Sequence, residues 1–159
     1  DIYYRKAKED CFRARSAYKL IQIDELYDIF LDAERIIDLC AAPGSWSQVC
    51  QSRLAAKGLF KEPGTRIVAV DLQEMAPIDN VVQLVGDITR RKTVDNILEK
   101  FENNLADLVI CDGAPDVTGF HDMDQYIQSQ LLVAALNICV KTLKPEGNFI
   151  AKIFKGSDT

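Results

Sequence analysis

The chain has 159 residues, 48% of them hydrophobic and 27% charged, with 8 Gly and 5 Pro. That balance excludes a disordered or fibrous protein, and the length suits one well-packed domain rather than two. The net charge of −5 argues mildly against a nucleic-acid partner, yet it divides into a net +3 over residues 1–20 and a net −8 over the remainder.

In chain order, Arg5, Lys6, Lys8, Arg13, Arg15 and Lys19 form a basic N-terminal arm. Such an arm on an acidic body either holds a polyanion at one place or is a solvated helix face. Ser16 is placed to cap a helix running to about Tyr27, with Ala17, Leu20, Ile21 and Ile23 at helical spacing. Five strand-like, β-branched segments follow at 35–39, 66–71, 81–85, 107–112 and 148–154. Helical patterns over 45–56, 93–101 and 124–143 lie between them; the last carries Ile127, Leu131, Leu132, Ala135, Ile138 and Leu143, and Lys144-Pro145-Glu146-Gly147 stops it. Strands alternating with helices predict an α/β domain with a largely parallel sheet and helices on both faces. We read 1–159 as a single domain, with the arm and first helix over 1–30 and the α/β core over 34–159.

The longest apolar run, Leu131–Leu136, falls far short of the roughly 20 residues that a membrane span requires. No secretory leader pattern or glycosylation sequon is present. The five cysteines (Cys11, Cys40, Cys50, Cys111 and Cys139) are odd in number, widely spaced and without a Cys-x-x-Cys pair. They are expected to be buried free thiols in a reducing compartment, so the protein reads as soluble and cytoplasmic. One His among them excludes the usual Cys/His zinc sites; around His121, capping of the last helix by Asp122 or Asp124 is expected rather than a metal.

Ligands of such sheets bind outside the carboxyl ends of the strands. There the first strand reaches Asp38, the second ends at Asp71, the third is followed by Asp87, the fourth ends at Asp112 and the fifth carries Lys152. A lone Asp is readily a cap or turn residue, but a series of them beside a lysine is more than composition gives. The loop after the first strand, Asp38-Leu-Cys-Ala-Ala-Pro-Gly44-Ser-Trp46-Ser-Gln48, matches neither the P-loop nor Gly-x-Gly-x-x-Gly. Its small residues admit a ligand to the backbone, and Asp38 suits a cationic group. Asp71, about 30 residues on, stands where a ribose-binding acid is expected. Adenosine plus a cation makes S-adenosylmethionine plausible on spacing.

These stretches, together with Val-Asp-Leu-Gln, Gly-Asp-Ile-Thr, Cys-Asp-Gly-Ala-Pro-Asp-Val-Thr-Gly, Ala-Lys-Ile-Phe and the earlier Arg-Ala-Arg-Ser-Ala-Tyr-Lys, resemble the FtsJ-type ribose 2′-O-methyltransferases over essentially the whole chain. Tyr-Tyr-Arg near the start and Ala-Pro-Asp-Val-Thr-Gly-Phe-His-Asp look most like the eukaryotic tRNA anticodon-loop branch. The resemblance implies a Rossmann-like class I S-adenosylmethionine-dependent methyltransferase. It implies Gly44 and Trp46 at the methionine end of the cofactor, Asp71 on the ribose, Asp87 on the adenine amino group and Asp112 between cofactor and catalytic centre. Lys19, Asp112 and Lys152 match the first three members of the family's Lys-Asp-Lys-Glu set. The Glu and the last strands would lie beyond Thr159, so the natural protein continues or this is a fragment. RNA, by this likeness tRNA, is the implied substrate, with a separate accessory protein subunit and no metal. Ribosomal RNA or an mRNA cap as substrate, or a non-catalytic cofactor-binding scaffold, are the alternatives.

Methyl transfer to a ribose hydroxyl is an in-line displacement in which the hydroxyl loses its proton. An ordinary lysine, pKa about 10.4, is neutral roughly once in 2,500 at pH 7, so Lys152 as base needs help from Lys19 and from the cofactor's charge. The other role open to Lys152 is a permanent cation that stabilises the developing alkoxide.

Overall fold

The computed structural model of the chain describes residues 2–113 and 121–153, with the backbone alone at His121. Its sheet has five strands, β1 (Ile36–Leu39), β2 (Ile67–Asp71), β3 (Val81–Val85), β4 (Ala106–Cys111) and β5 (Leu143–Ala151). All pairings are parallel and the order is β3-β2-β1-β4-β5. The helices are α1 (Ile2–Glu9), α2 (Ala17–Tyr27), α3 (Ser45–Ala56), α4 (Arg91–Lys100) and α5 (His121–Thr142), with a 3₁₀ turn at Leu59–Lys61.

Strand periodicity assigns the faces. Ile36, Ile67, Leu108 and Ile110 point to one side and pack with Ala17, Leu20, Trp46, Val49 and Leu54 of α2 and α3. Ile37, Leu39, Val68, Val70 and Val109 point to the other and pack with Val94 and Ile97 of α4 and Ala134, Ala135 and Ile138 of α5. All four residues of β1 are buried, as befits a central parallel strand covered on both faces. Helices on both faces of a parallel sheet are what the alternating pattern predicts.

Several boundaries differ from the sequence reading. α1 has no counterpart in the apolar periodicity; its ring and charge contacts explain it, with Tyr3 6.0 Å from the Tyr18 ring and the Lys6 ammonium 5.2 Å from that ring's centroid. Tyr18 Oη also donates to the Asp10 carboxylate. β5 starts at Leu143, directly after α5, because Leu143 pairs with Ala106 before a register shift; regular pairing resumes at Asn148 opposite Leu108. Lys144–Gly147 does end the helix, but inside an irregular strand whose edge position tolerates Pro145. Asp122 and Asp124 lie within the first turn of α5, favourably placed for its dipole, and are not the expected caps. Ser16 precedes α2 without a side-chain cap; its hydroxyl instead meets that of Ser45 at 2.8 Å.

Two cross-links fix the amino-terminal edge of the sheet. Asp107 accepts the N–H groups of Glu34 and Arg35 and the ammonium of Lys144, tying β1, β4 and β5 together. Lys57 donates to the carbonyls of Phe30, Leu31 and Ala33, closing the link from α2 to β1. Of the cysteines, all unbridged, only Cys50 and Cys111 are fully buried, and Cys11 is exposed. No helix among the described residues is long and apolar enough to cross a membrane.

Candidate active site

β1 pairs with β2 on one side and with β4 on the other, so the chain departs in opposite directions at their carboxyl ends. The crevice opened there is where ligands of open α/β sheets bind, and the structure brings Asp38, Asp71, Asp112 and Gly44 to it.

The turn after β1 is built for close approach. Cys40 has φ +55° and Gly44 φ +112°, and the Ala42–Pro43 peptide is cis. A Cβ at Gly44 would stand 2.9 Å from Ile78 Cδ1, 3.1 Å from Arg13 Nη1 and 3.2 Å from Met75 Sδ. Glycine is therefore required there by both backbone and space. Asp71 accepts the Ala42 N–H through Oδ2 and the Gln73 N–H through Oδ1, both at 2.9 Å, holding the turns after β1 and β2 together.

Asp38 is fully buried beneath this turn and accepts a 2.6 Å bond from Ser47 Oγ on α3; its Oδ1 has no hydrogen-bond partner among the described residues. Burial pushes its carboxyl up to about 8; the Ser47 bond opposes that, and the charge of Asp112 adds to it. At the same strand ends, the Cys111 thiol is held below its ordinary range by a hydrogen bond from Cys40, whose own thiol is raised by it. Asp87 behaves as a turn residue, its Oδ1 accepting the N–H and hydroxyl of Thr89, which lower its pKa.

Lys152 lies one residue past β5, its N–H donating to Cys111 O at 2.9 Å. Its ammonium stands 3.4 Å from Asp112 Oδ1. Across from it, Lys19 projects from α2, and the two lysines line a cleft of about 430 Å³ with Tyr3, Arg15, Tyr18 and Gln22. Lys19 and Lys152 thus line one cleft, and Asp112 is joined to it through its pair with the Lys152 ammonium.

Trp46 does not wall this crevice. It is 1% exposed, packed in the α2–α3 core, and its indole N–H donates to Ser16 O at 2.8 Å. Gln48, next along the same helix start, accepts the Arg13 N–H at 2.8 Å and donates to Cys11 O. Ser45, Trp46 and Gln48 therefore hold the segment that leads to Lys19, while Ser47 holds Asp38. Sequence reasoning missed these roles of Ser45, Ser47 and Gln48, and of Arg13 and Tyr3. The loop motif contained the first three, but their partners lie 9–37 residues away. Residues 114–120 of the Ala-Pro-Asp-Val-Thr-Gly-Phe stretch, and Phe154 onward, lie outside the described residues.

An adenosyl sulfonium fits these residues: a glycine cradle that a Cβ would fill, an unpartnered buried carboxylate oxygen and a group of acids that would offset a positive ligand. Among the described residues, no cluster of three or more His, Cys, Asp or Glu is arranged to hold a metal.

A parallel, doubly covered sheet with a glycine turn and acids at its switch point defines a Rossmann-like nucleotide-binding fold. Over residues 12–159 the chain matches the family model described as FtsJ-like methyltransferase, and it belongs to that family. Among curated proteins it is 55% identical to the human tRNA (cytidine(32)/guanosine(34)-2′-O)-methyltransferase, over 99% of this chain and 46% of that one. It is 62% identical to a Dictyostelium discoideum protein bearing the same name provisionally, over 99% of this chain and 58% of that one. The chain thus spans about half the length of the curated relatives it matches. Among solved structures, one from Plasmodium falciparum, described provisionally as a ribosomal RNA methyltransferase, superimposes with a TM-score of 0.80 at 25% identity, covering 92% of this chain and 81% of that one.

Proposed function

We propose that this chain carries the cofactor-binding and catalytic core of an RNA ribose 2′-O-methyltransferase that uses S-adenosylmethionine and acts in the tRNA anticodon loop. The observation that carries the reading is that Lys19 and Lys152 line one cleft while Asp112, at the end of β4, stands 3.4 Å from the Lys152 ammonium. The anticodon-loop assignment draws on the names of the relatives at 55% and 62% identity.

In this reading the Gly44 turn, with Asp38 buried beneath it, receives the amino-acid end of the cofactor, Asp71 its ribose and Asp87 its adenine edge. The bound cofactor supplies an electrophilic methyl group. Everything else is positioning, which is where most of the acceleration of an in-line displacement arises. Asp112 orients the Lys152 ammonium through their 3.4 Å pair. As the neutral amine, Lys152 takes the proton of the attacking hydroxyl and becomes the ammonium that Asp112 pairs, and Lys19, from the other side of the cleft, adds positive potential where the alkoxide develops. Tyr3 and Arg15 give the cleft an aromatic and a cationic surface suited to an unstacked nucleotide. Trp46 acts from beneath by fixing the start of α2.

Because the body outside the arm carries net −8, much of the RNA affinity is assigned to a separate accessory protein subunit; the unbridged cysteines support the cytoplasm as the site of action. No metal takes part.

The test is transfer of labelled methyl from S-adenosylmethionine to unmodified tRNA and, separately, to unmodified ribosomal RNA by the full-length protein, followed by nucleoside analysis. Label on a ribose 2′-oxygen that is lost with Lys152→Ala is the expected result; label on a base overturns the reading. Label entering ribosomal RNA instead moves the substrate to that of the Plasmodium neighbour's described class. With chemistry limiting, a single-turnover rate that is flat from about pH 6 to 10 replaces the base role of Lys152 by that of a fixed cation.

A further inference from the structure

The guanidinium of Arg13 sits where three parts of the site meet. Nη1 donates to Pro43 O at 3.1 Å, in the turn after β1, and to Ala76 O at 2.7 Å; Nη2 donates to Pro77 O at 2.9 Å, in the loop after β2. Its backbone N–H is held by Gln48 Oε1 at 2.8 Å, at the start of α3. Six residues further along the chain stands Lys19, reached through Ser16, which Trp46 and Ser45 hold in turn. The Arg13 head also lies, with Met75 and Ile78, in the space that a Cβ at Gly44 would enter, 3.1 Å from it.

The Lys57 ammonium serves three carbonyls of one short segment, whereas the Arg13 fork divides its donors between two separate loops, and the spacing of two guanidinium nitrogens in one plane sets the distance between them. We propose that Arg13 is a positioning residue for methyl transfer, locking the cofactor turn, the loop after β2 and the segment bearing Lys19 into a single arrangement. This rests on the functional reading above. Seating the cofactor and placing Lys19 are then one event, and by linkage each favours the other. The acceptors are main-chain carbonyls, so the role depends on side-chain geometry and not on charge alone.

The experiment compares full-length wild type, Arg13→Gln and Arg13→Lys, using calorimetric binding of S-adenosylmethionine without RNA, then kcat and KM on unmodified tRNA. Melting temperature and circular dichroism report folding. Both variants are expected to bind the cofactor at least 10-fold more weakly and to lose kcat, with Arg13→Lys recovering little. The kcat losses of Arg13→Gln and Lys19→Ala are expected to be less than multiplicative in the double variant, since both act on one placement. Cofactor affinity and kcat equal to wild type in a folded variant overturn the proposal. So does full recovery in Arg13→Lys, or a change confined to KM for RNA, either of which marks Arg13 as a phosphate contact. If Arg13→Gln does not fold, Arg13→Lys decides by the same criteria. Wild type that binds the cofactor but methylates no RNA removes the functional reading alone, leaving the cofactor affinities to judge Arg13; wild type that binds none removes both.

Discussion

The hydroxyl of Ser47 donates across 2.6 Å to Oδ2 of Asp38, a carboxylate with no solvent exposure. Burial raises the Asp38 pKa from 3.8 to about 8 in the folded chain. Between those values the folded state holds a proton that the unfolded state has released. Its contribution to stability is therefore full below about pH 4 and is lost as pH rises toward 8, by at most roughly 1.4 kcal/mol per pH unit. Asp38→Asn is expected to flatten the pH dependence of stability over that window, and urea unfolding at pH 5 and pH 8 measures it. Ser47→Ala leaves a buried acceptor without its donor and is expected to cost about 1–3 kcal/mol.

Gly44→Ala is expected to damage the site more than the fold. The new Cβ meets Ile78, Arg13 and Met75 at 2.9–3.2 Å on a backbone with φ +112°. Strain of about 1–3 kcal/mol follows, and relief requires the loop after β2 to retreat. Cofactor affinity should fall at least tenfold while the far edge of the sheet keeps its slow amide exchange; unchanged affinity would show that the turn accommodates the methyl group.

Trp46→Phe keeps most of the buried ring and deletes the indole N–H that Ser16 O accepts. A stability loss of about 1–2 kcal/mol is expected, together with a fall in kcat and little change in cofactor affinity, because the bond anchors the start of α2. A kcat unchanged well below the melting temperature would confine Trp46 to packing.

This last residue shows where sequence reading stops. Its place in the loop after β1 suggests the wall of a ligand site, yet the three-dimensional partner, Ser16, lies 30 positions earlier. Periodicity carries no information about such pairings. Strand and helix identity is more legible because it is local: α3 (Ser45–Ala56) and β3 (Val81–Val85) have the bounds expected, and the acids do gather at one sheet edge. The burial of Asp38 is legible in principle, since Ile-Ile-Asp-Leu in a central parallel strand leaves no exposed face. α1 is not, because rings and charges on Tyr18 hold it in place of an apolar stripe of its own.

The basic arm makes a separate prediction about salt. Arg5 is exposed on α1, and Lys8 lies with its ammonium 4.7 Å from the Tyr4 ring centroid. If both meet phosphates, Arg5→Gln with Lys8→Gln should weaken tRNA binding across sequences and reduce the slope of log affinity against log salt by about 0.7 for each phosphate no longer neutralised. Filter binding at several salt concentrations reads the slope, and an unaltered slope removes the arm from the interface.

The strand order has a consequence for how the chain is made. β1 is the central strand, but its two neighbours reach it from unequal distances: β2 begins about 28 residues after β1 ends, whereas β4 begins about 67 residues after it. A ribosome adding about 5–20 residues per second leaves one edge of β1 open for roughly 3–13 seconds. During that interval β1 can pair with any extended segment nearby, and β4 inherits the same exposure until β5 emerges. Synthesis speed through residues 40–111, and chaperone attendance while they emerge, therefore bear on yield alongside the stability of the finished sheet.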